Sequence, residues 1–276
     1  MSIWNAVLLG FVQGVAEFLP ISSSGHLSII YNLFNLTPLE DGHMLFSVLL
    51  RLATLISILI VYWNDILAIV YELLSFANAG PLAGQPCKYR GTRLLVMIII
   101  SVLPMLFIIP LRAQLNKLFY RNVFIGVMII LTGFMLYTSD RMTPGKKTER
   151  SMTMFDALII GLCQCAAAIP GLSRSCTTIT AGIATGLRRD FAVKFSMLMS
   201  LPAVVGSLLL NLIDTFKSDV DWSCIPAYLV GTAVALVSGI VAINVLKYIS
   251  AKGKFGKFAY YCWVVGVLGI ILTMIF

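Results

Sequence analysis

The amino-acid sequence predicts an all-α integral membrane protein built as an inverted-topology repeat, each half a re-entrant helix hairpin followed by three transmembrane helices. Three observations carry that expectation. Of the 276 residues, 59% are hydrophobic and 12% charged, and the mean hydropathy of +0.94 lies far above that of a soluble domain. Six apolar runs approach the roughly 20 residues needed to cross about 30 Å of hydrocarbon, and two more are broken by proline and polar residues. The two broken runs resemble each other in the order of their polar residues. Residues 1–276 therefore form a single membrane domain, with no room for a soluble one.

The first half, residues 1–140, opens on a hairpin over about 3–34. Residues 3 to 19 are helical in character, but Gln13 and Glu17 interrupt them and Pro20 ends them, because proline lacks an amide hydrogen and disfavours helix at the residue before it. Ser22-Ser23-Ser24-Gly25 reads as a turn, with Ser24 capping a second short helix from about His26 to Phe34. Irregular backbone at membrane depth survives only where protein shields it or where it lines a wet cavity. Spans follow at about 44–63, 94–111 and 123–138, the first two separated by a polar stretch up to Arg93.

A basic connector, 141–153, leads into the second half, residues 154–276. Met154 to Ala168, then Pro170-Gly171, then Thr177 to Leu187 form the second hairpin (about 154–187), and spans are expected at about 195–213, 225–249 and 258–276. The repeat is visible in residues. Phe46-Ser47 recurs as Phe195-Ser196 at an offset of 149, and Gln13 recurs as Gln164 at an offset of 151. Three full spans per half is an odd number, so the second half enters the membrane upside down and the hairpin tips meet near the midplane.

Loop charges suggest the orientation. Segments near 75–93, 140–151, 188–194 and 247–257 are basic and fall on one face, which is then cytoplasmic. Acidic links at Glu40-Asp41 and Asp214 to Asp221 mark the other face; Arg112, Lys117 and Arg121 run against the pattern and snorkel to headgroups. The formal charge of +8 thus reads as a topology signal rather than a nucleic-acid surface. Cys87, Cys163, Cys165, Cys176, Cys224 and Cys262 fall in or beside apolar runs and read as buried thiols, since Cys163-x-Cys165 has no second pair to complete a metal site. The apolar start lacks the basic flank and the cleavage pattern of a signal peptide.

Intramembrane ionisable groups cost about 2.5–3.5 kcal/mol each on insertion scales and mark function by default. Glu17 follows Gln13 by four residues, so the two share a helical face and one cavity. The carboxylate can hold a proton or, with Gln13 as a weaker ligand, a divalent cation, and otherwise pairs with Arg174. Ser23 is the first choice of hydroxyl nucleophile, with His26 nearby to take or give a proton; attack by His26 or by water stays open. His43, at a span end, reads as interfacial. Ser22 and Ser24 lie in the same turn. In the second hairpin Gly171, Ser173, Arg174, Ser175 and Thr178 suggest an anion cradle, with Ser175 or Thr177 opening a helix whose free amides favour negative charge. Together the two hairpins read as a minimal phosphate-processing site.

Glu17-Phe18-Leu19-Pro20-Ile21-Ser22-Ser23-Ser24-Gly25-His26 and Pro170-Gly171-Leu172-Ser173-Arg174-Ser175-Cys176-Thr177-Thr178 resemble the two motifs of the bacterial undecaprenyl-pyrophosphate phosphatase family, the group associated with bacitracin resistance. The resemblance implies hydrolysis of undecaprenyl diphosphate to the monophosphate on the outer side of the bacterial cytoplasmic membrane, recycling the lipid carrier for wall synthesis. It also implies dependence on a divalent cation, Mg²⁺ or Ca²⁺, and equates Glu17, Ser23, His26 and Arg174 with the family's essential residues. Expected partners are the polyprenyl diphosphate, bilayer lipids and, as an option, a second copy in a homodimer; nucleic acid is not among them. The chain departs from the family pattern at Gln13, often a second Glu, and at Ser47, Arg51, Cys176 and Lys194. A polyprenyl-phosphate flippase or a catalytically impaired paralogue are the alternatives.

Overall fold

Ser2 starts the first helix. Its hydroxyl accepts the Asn5 amide at 3.2 Å, and α1 (Ile3–Phe18) runs until Leu19 turns extended ahead of Pro20. The computed structural model describes residues 1–34, 36, 43–76, 90–111, 114, 115, 118, 121–215 and 222–275. Glu40, Asp41, Cys87, Lys88, Arg112, Lys117, Asp219 and Asp221, which bear on the charge pattern and the thiol count, lie outside the described residues.

After Pro20 the chain reverses through Ser22, a non-glycine residue held at φ +74°, and α2 (Ser23–Leu33) returns. This helix begins three residues before the expected His26. The left-handed turn aims the Ser22 hydroxyl at the Gly25 amide, 3.2 Å away, so Ser22 caps the helix and Ser24 lies inside it. Next come α3 (Met44–Val61) and α4 (Trp63–Phe76). The latter segment, expected as part of a polar stretch, is a helix, fastened where Glu72 Oε2 accepts the Thr92 amide at 2.7 Å. α5 (Arg90–Val102) continues as a 3₁₀ segment, Leu103–Leu111, and α6 (Asn122–Arg141) completes the first half.

Thr153 and Asp156 cap α7 (Met154–Ala166) reciprocally. The second tip follows, and α8 (Arg174–Ala184) starts at Ser173, whose hydroxyl accepts the Cys176 amide at 3.3 Å. Ser175 and Thr177 therefore sit inside the helix they were expected to open. α9 (Arg189–Thr215) passes through Pro202, α10 (Ile225–Lys252) follows a short 3₁₀ turn and ends at Gly253, and α11 (Gly256–Ile275) closes the chain.

Among the described residues six helices are long and apolar enough to cross a membrane: Met44–Val61, Gly91–Leu111, Val123–Arg141, Arg189–Thr215, Trp222–Lys252 and Gly256–Met274. α1 and α7 are shorter. Large apolar side chains such as Trp4, Phe107, Phe155 and Val237 are exposed, as a lipid-facing surface requires. The core lies inside, where Phe18, Ile125, Ile129, Ile160, Ile179 and Phe195 pack around the hairpins.

Close backbone contact shields α1. A Cβ on Gly10 would fall 2.1 Å from the Gly231 carbonyl oxygen, and one on Gly14 would fall 2.1 Å from Ser238 Oγ. The Gly10-x-x-x-Gly14 spacing lets α1 lie against α10, so the helix carrying Glu17 is walled by protein. On the end that carries the connector, ion pairs join the elements. Lys147 Nζ meets Asp156 at 2.8 Å, and Lys194 Nζ reaches Asp65 at 2.5 Å and Glu149 at 2.7 Å.

Candidate functional site between the hairpin tips

Glu17 occupies the last turn of α1 and is the hub of the site. Its Oε2 accepts the Ser23 hydroxyl at 2.8 Å and the Gln13 amide at 3.3 Å; its Oε1 accepts Arg174 Nη2 at 3.1 Å. Gln13 and Glu17 meet because they are one helical turn apart. Ser23 reaches back because the Ser22 turn folds the start of α2 toward the end of α1. Arg174 arrives from the other half of the chain as the first residue of α8.

Two more bonds join the tips. The Gly171 amide donates to Ser24 Oγ at 3.1 Å, and the Ser175 hydroxyl donates to the Leu19 carbonyl at 3.3 Å. Gly171 is held at φ +89°, and a Cβ there would fall 2.8 Å from Met128 Cβ and 2.9 Å from the Ile125 carbonyl oxygen, so only glycine brings the second tip this close. Ser173 is anchored from outside, its amide donating to Thr132 Oγ1 of α6 at 3.2 Å.

A cavity of 110 Å³ opens where the tips meet, about three to four water volumes. Glu17, Ser22, Ser23 and Ser24 line it from the first hairpin, Ser173 and Arg174 from the second. Arg174 commits one N–H to Glu17 and has further donors in its planar fork, a shape suited to phosphate oxygens. The N-terminus of α8, just behind, adds partial positive charge. Carboxylate, guanidinium and hydroxyls within one enclosed pocket can bind an anionic oxygen cluster and move a proton off a hydroxyl.

Not every expected residue lines that space. Gly171 and Ser175 stand behind it as tip contacts. Thr178 is buried, its hydroxyl 2.6 Å from Ser196 Oγ and 2.9 Å from the Arg174 carbonyl, and so holds α8 on α9. His26, one turn beyond Ser23, is also outside the cavity lining; Nδ1 stands 2.7 Å from the Ser22 carbonyl and Nε2 2.8 Å from the Tyr261 hydroxyl of α11. Nothing in the sequence pattern sets Tyr261 apart from the other tyrosines of the membrane helices. His43 is 2.8 Å from the Tyr228 hydroxyl, away from the site.

The departures from the family pattern fall mostly outside the pocket as well. Ser47 and Arg51 lie on α3, Cys176 is buried with its thiol toward the Thr132 carbonyl, and Lys194 serves the Asp65 and Glu149 pairs. Gln13 donates to Glu17 Oε2 and so belongs to the site. Among the described residues no group of three or more His, Cys, Asp or Glu side chains is placed to hold a metal. The donors that fit one cation are the Glu17 carboxylate and the amide of Gln13, a set that suits a hard ion only when phosphate oxygens supply further ligands.

Fold and site together define a polytopic helical membrane protein with a polar pocket, lined by Glu17, Arg174 and serine hydroxyls, shared by two hairpin tips. Residues 6–268 match the family described as bacitracin resistance protein BacA, and the chain belongs to that family. It is similar along its whole length to several proteins named undecaprenyl-diphosphatase. That of Halothermothrix orenii is 35% identical over 281 residues, covering 100% of both chains. That of Desulforapulum autotrophicum is 37% identical over 276 residues and 98% of each chain, and that of Methanosphaera stadtmanae is 32% identical over 281 residues, covering 100% of this chain and 99% of its own.

Proposed function

We propose that the protein hydrolyses undecaprenyl diphosphate to undecaprenyl phosphate and phosphate, recycling the lipid carrier for cell-wall synthesis. The observation that carries the reading is the continuous chain Arg174–Glu17–Ser23, in which Arg174 crosses between the tips to Glu17 at 3.1 Å and Ser23 meets the same carboxylate at 2.8 Å. Family membership and the names of the full-length relatives support it.

The geometry favours Ser23 as nucleophile. Its proton already points at Glu17 Oε2, so Glu17 takes that proton as Ser23 Oγ bonds to the terminal phosphorus. The bond from phosphorus to the bridging oxygen breaks, and undecaprenyl phosphate leaves with the electron pair. Water then attacks the phosphoserine and both its hydrogens leave with the phosphate as H2PO4⁻, while Glu17 returns its proton to Ser23 Oγ. Arg174, with the Ser22 and Ser24 hydroxyls, holds the phosphate oxygens through both steps, since positioning and charge neutralisation dominate phosphoryl transfer. A divalent cation, Mg²⁺ or Ca²⁺, would be held by Glu17 and Gln13 together with the substrate; bound there it neutralises phosphate charge.

We place the protein in the cell membrane with its two halves oppositely inserted, the basic 140–151 connector inside and the pocket open to the outer side. Phosphate release from undecaprenyl diphosphate by purified protein tests the activity. Ser23→Ala is expected to lower turnover by at least about a hundredfold, the scale of losing a nucleophile or its base. Wild-type rates in Ser23→Ala would remove Ser23 from the reaction, and no release by the wild type would remove the function.

A further inference from the structure

Charge and aromatic rings are layered on one outward face where α6 meets α11. Phe134, Tyr137 and Arg141 are spaced three and four residues apart, so they share one stripe of α6 that ends in its last turn. The Arg141 guanidinium lies 3.5 Å from the centre of the Tyr137 ring. Across the seam, Trp263 of α11 packs against Phe134, Tyr137 and Tyr260, with ring centroids 5.1, 5.4 and 5.5 Å away. Lys257 stands one turn before Tyr260, and Lys254 just precedes the helix. Asp140 brings these cations to one level: its carboxylate accepts the Phe255 and Gly256 amides at 2.9 Å each and so ties the start of α11 beside the end of α6. Asp140 is itself occupied by those amides and by Arg189 Nη1 at 3.5 Å. Arg141, Lys254 and Lys257 are exposed, and among the described residues none of the three forms an ion pair.

We propose that this face holds one anionic diacyl phospholipid, its phosphodiester on Arg141, Lys254 and Lys257 and its acyl chains along Phe134, Tyr260 and the apolar surface beneath them. The layers match such a molecule from head to tail. Seven residues of helix, about 10 Å, separate Arg141 from Phe134, so the cations reach headgroup level while the rings lie at the edge of the hydrocarbon. Phe134 is 53% and Tyr260 59% exposed; Val127 and Val267, two turns further in, are 46% and 47% exposed and continue the same stripes. Aromatic rings alone would accept any lipid. The three cations above them favour a headgroup of net negative charge over a zwitterionic one, whose own ammonium they would repel. The site lies apart from the pocket between the tips, depends on nothing in the reaction proposed there, and holds for whichever leaflet meets this end of the molecule.

Trp263 is a reporter already in place. Replacing Trp4, Trp63 and Trp222, all exposed, by Phe leaves it as the sole tryptophan of the full chain. In phosphatidylcholine vesicles, brominated phosphatidylglycerol should quench Trp263 with an apparent affinity at least about fivefold above that of brominated phosphatidylcholine, the scale of one cation near a membrane surface. Arg141→Gln with Lys254→Gln and Lys257→Gln should bring that ratio to within about twofold of unity. Lys146→Gln with Arg150→Gln, which removes exposed charge from the connector, should leave it unchanged. Equal quenching by the two lipids overturns the proposal, as does a preference that survives the triple change or falls as far with the connector change. A second copy of the chain seated on this face would keep both lipids from Trp263, so an absence of quenching overturns it too. Should the triple variant not fold, the sole-tryptophan protein in about 1 M NaCl, where the Debye length is about 3 Å, supplies a second measurement. The preference should drop at least about threefold there, and an unchanged ratio overturns the site.

Discussion

Arg174 and Glu17 are the charges that bring the two tips together, so neutralising one should cost more than neutralising both. At 3.1 Å and an effective dielectric constant near 20, their attraction is about 5 kcal/mol. Each side chain keeps about a fifth of its surface exposed, 21% for Arg174 and 19% for Glu17, so water recovers part of that when the partner is lost. A net penalty of about 3 kcal/mol for Arg174→Gln follows, because the carboxylate stays behind uncompensated. The double change Glu17→Gln with Arg174→Gln leaves no stranded charge and keeps side chains of similar volume, so its stability should return to within about 1 kcal/mol of wild type. Activity should not return, since neither base nor guanidinium remains. Thermal unfolding in detergent and phosphate release, measured on the same preparations, read the two quantities separately. A single variant as stable as wild type, or a double variant that regains turnover, would show that the pair is neither the clasp nor the catalyst inferred from the geometry.

Gly171→Ala puts a methyl group at φ +89° against Met128 and Ile125; a loss of at least about 2 kcal/mol in unfolding free energy is expected, and a wild-type melting curve would contradict the close approach of the tips. Lys194→Met removes the ammonium that reaches both Asp65 and Glu149. It should destabilise the protein by about 1–2 kcal/mol after discounting for solvent, with kcat of the folded fraction unchanged; a fall in kcat would tie Lys194 to the chemistry. Chelation should abolish phosphate release and added Mg²⁺ or Ca²⁺ restore it, with Glu17→Gln failing to recover; full activity in chelator would exclude the cation.

The pairing of Glu17 with Arg174 was legible in the sequence because charges at membrane depth must find each other, and few partners exist in so apolar a chain. The six long helices and the two proline-broken hairpins were legible for the same reason, the length of apolar runs. Helix starts were not. Ser22, Ser23 and Ser24 are equally good caps on paper, and the choice of Ser22 depends on a left-handed turn that sequence does not announce. The helix at Trp63–Phe76 was hidden by its mixed composition. Lys194 stands out in the sequence only as a departure from the family pattern; its carboxylate partners Asp65 and Glu149 lie far off in sequence and show it to be a tie between elements. Tyr261 is 235 positions from His26, a separation no local pattern bridges.

The cavity between the tips belongs to neither half. Arg174 crosses over to Glu17, Gly171 to Ser24 and Ser175 to Leu19, so each hairpin is completed by atoms of the other. Mutational drift in one half is therefore judged by its counterpart, and chimeras that join the front of one relative to the back of another should work only when both sides of this seam have changed in step.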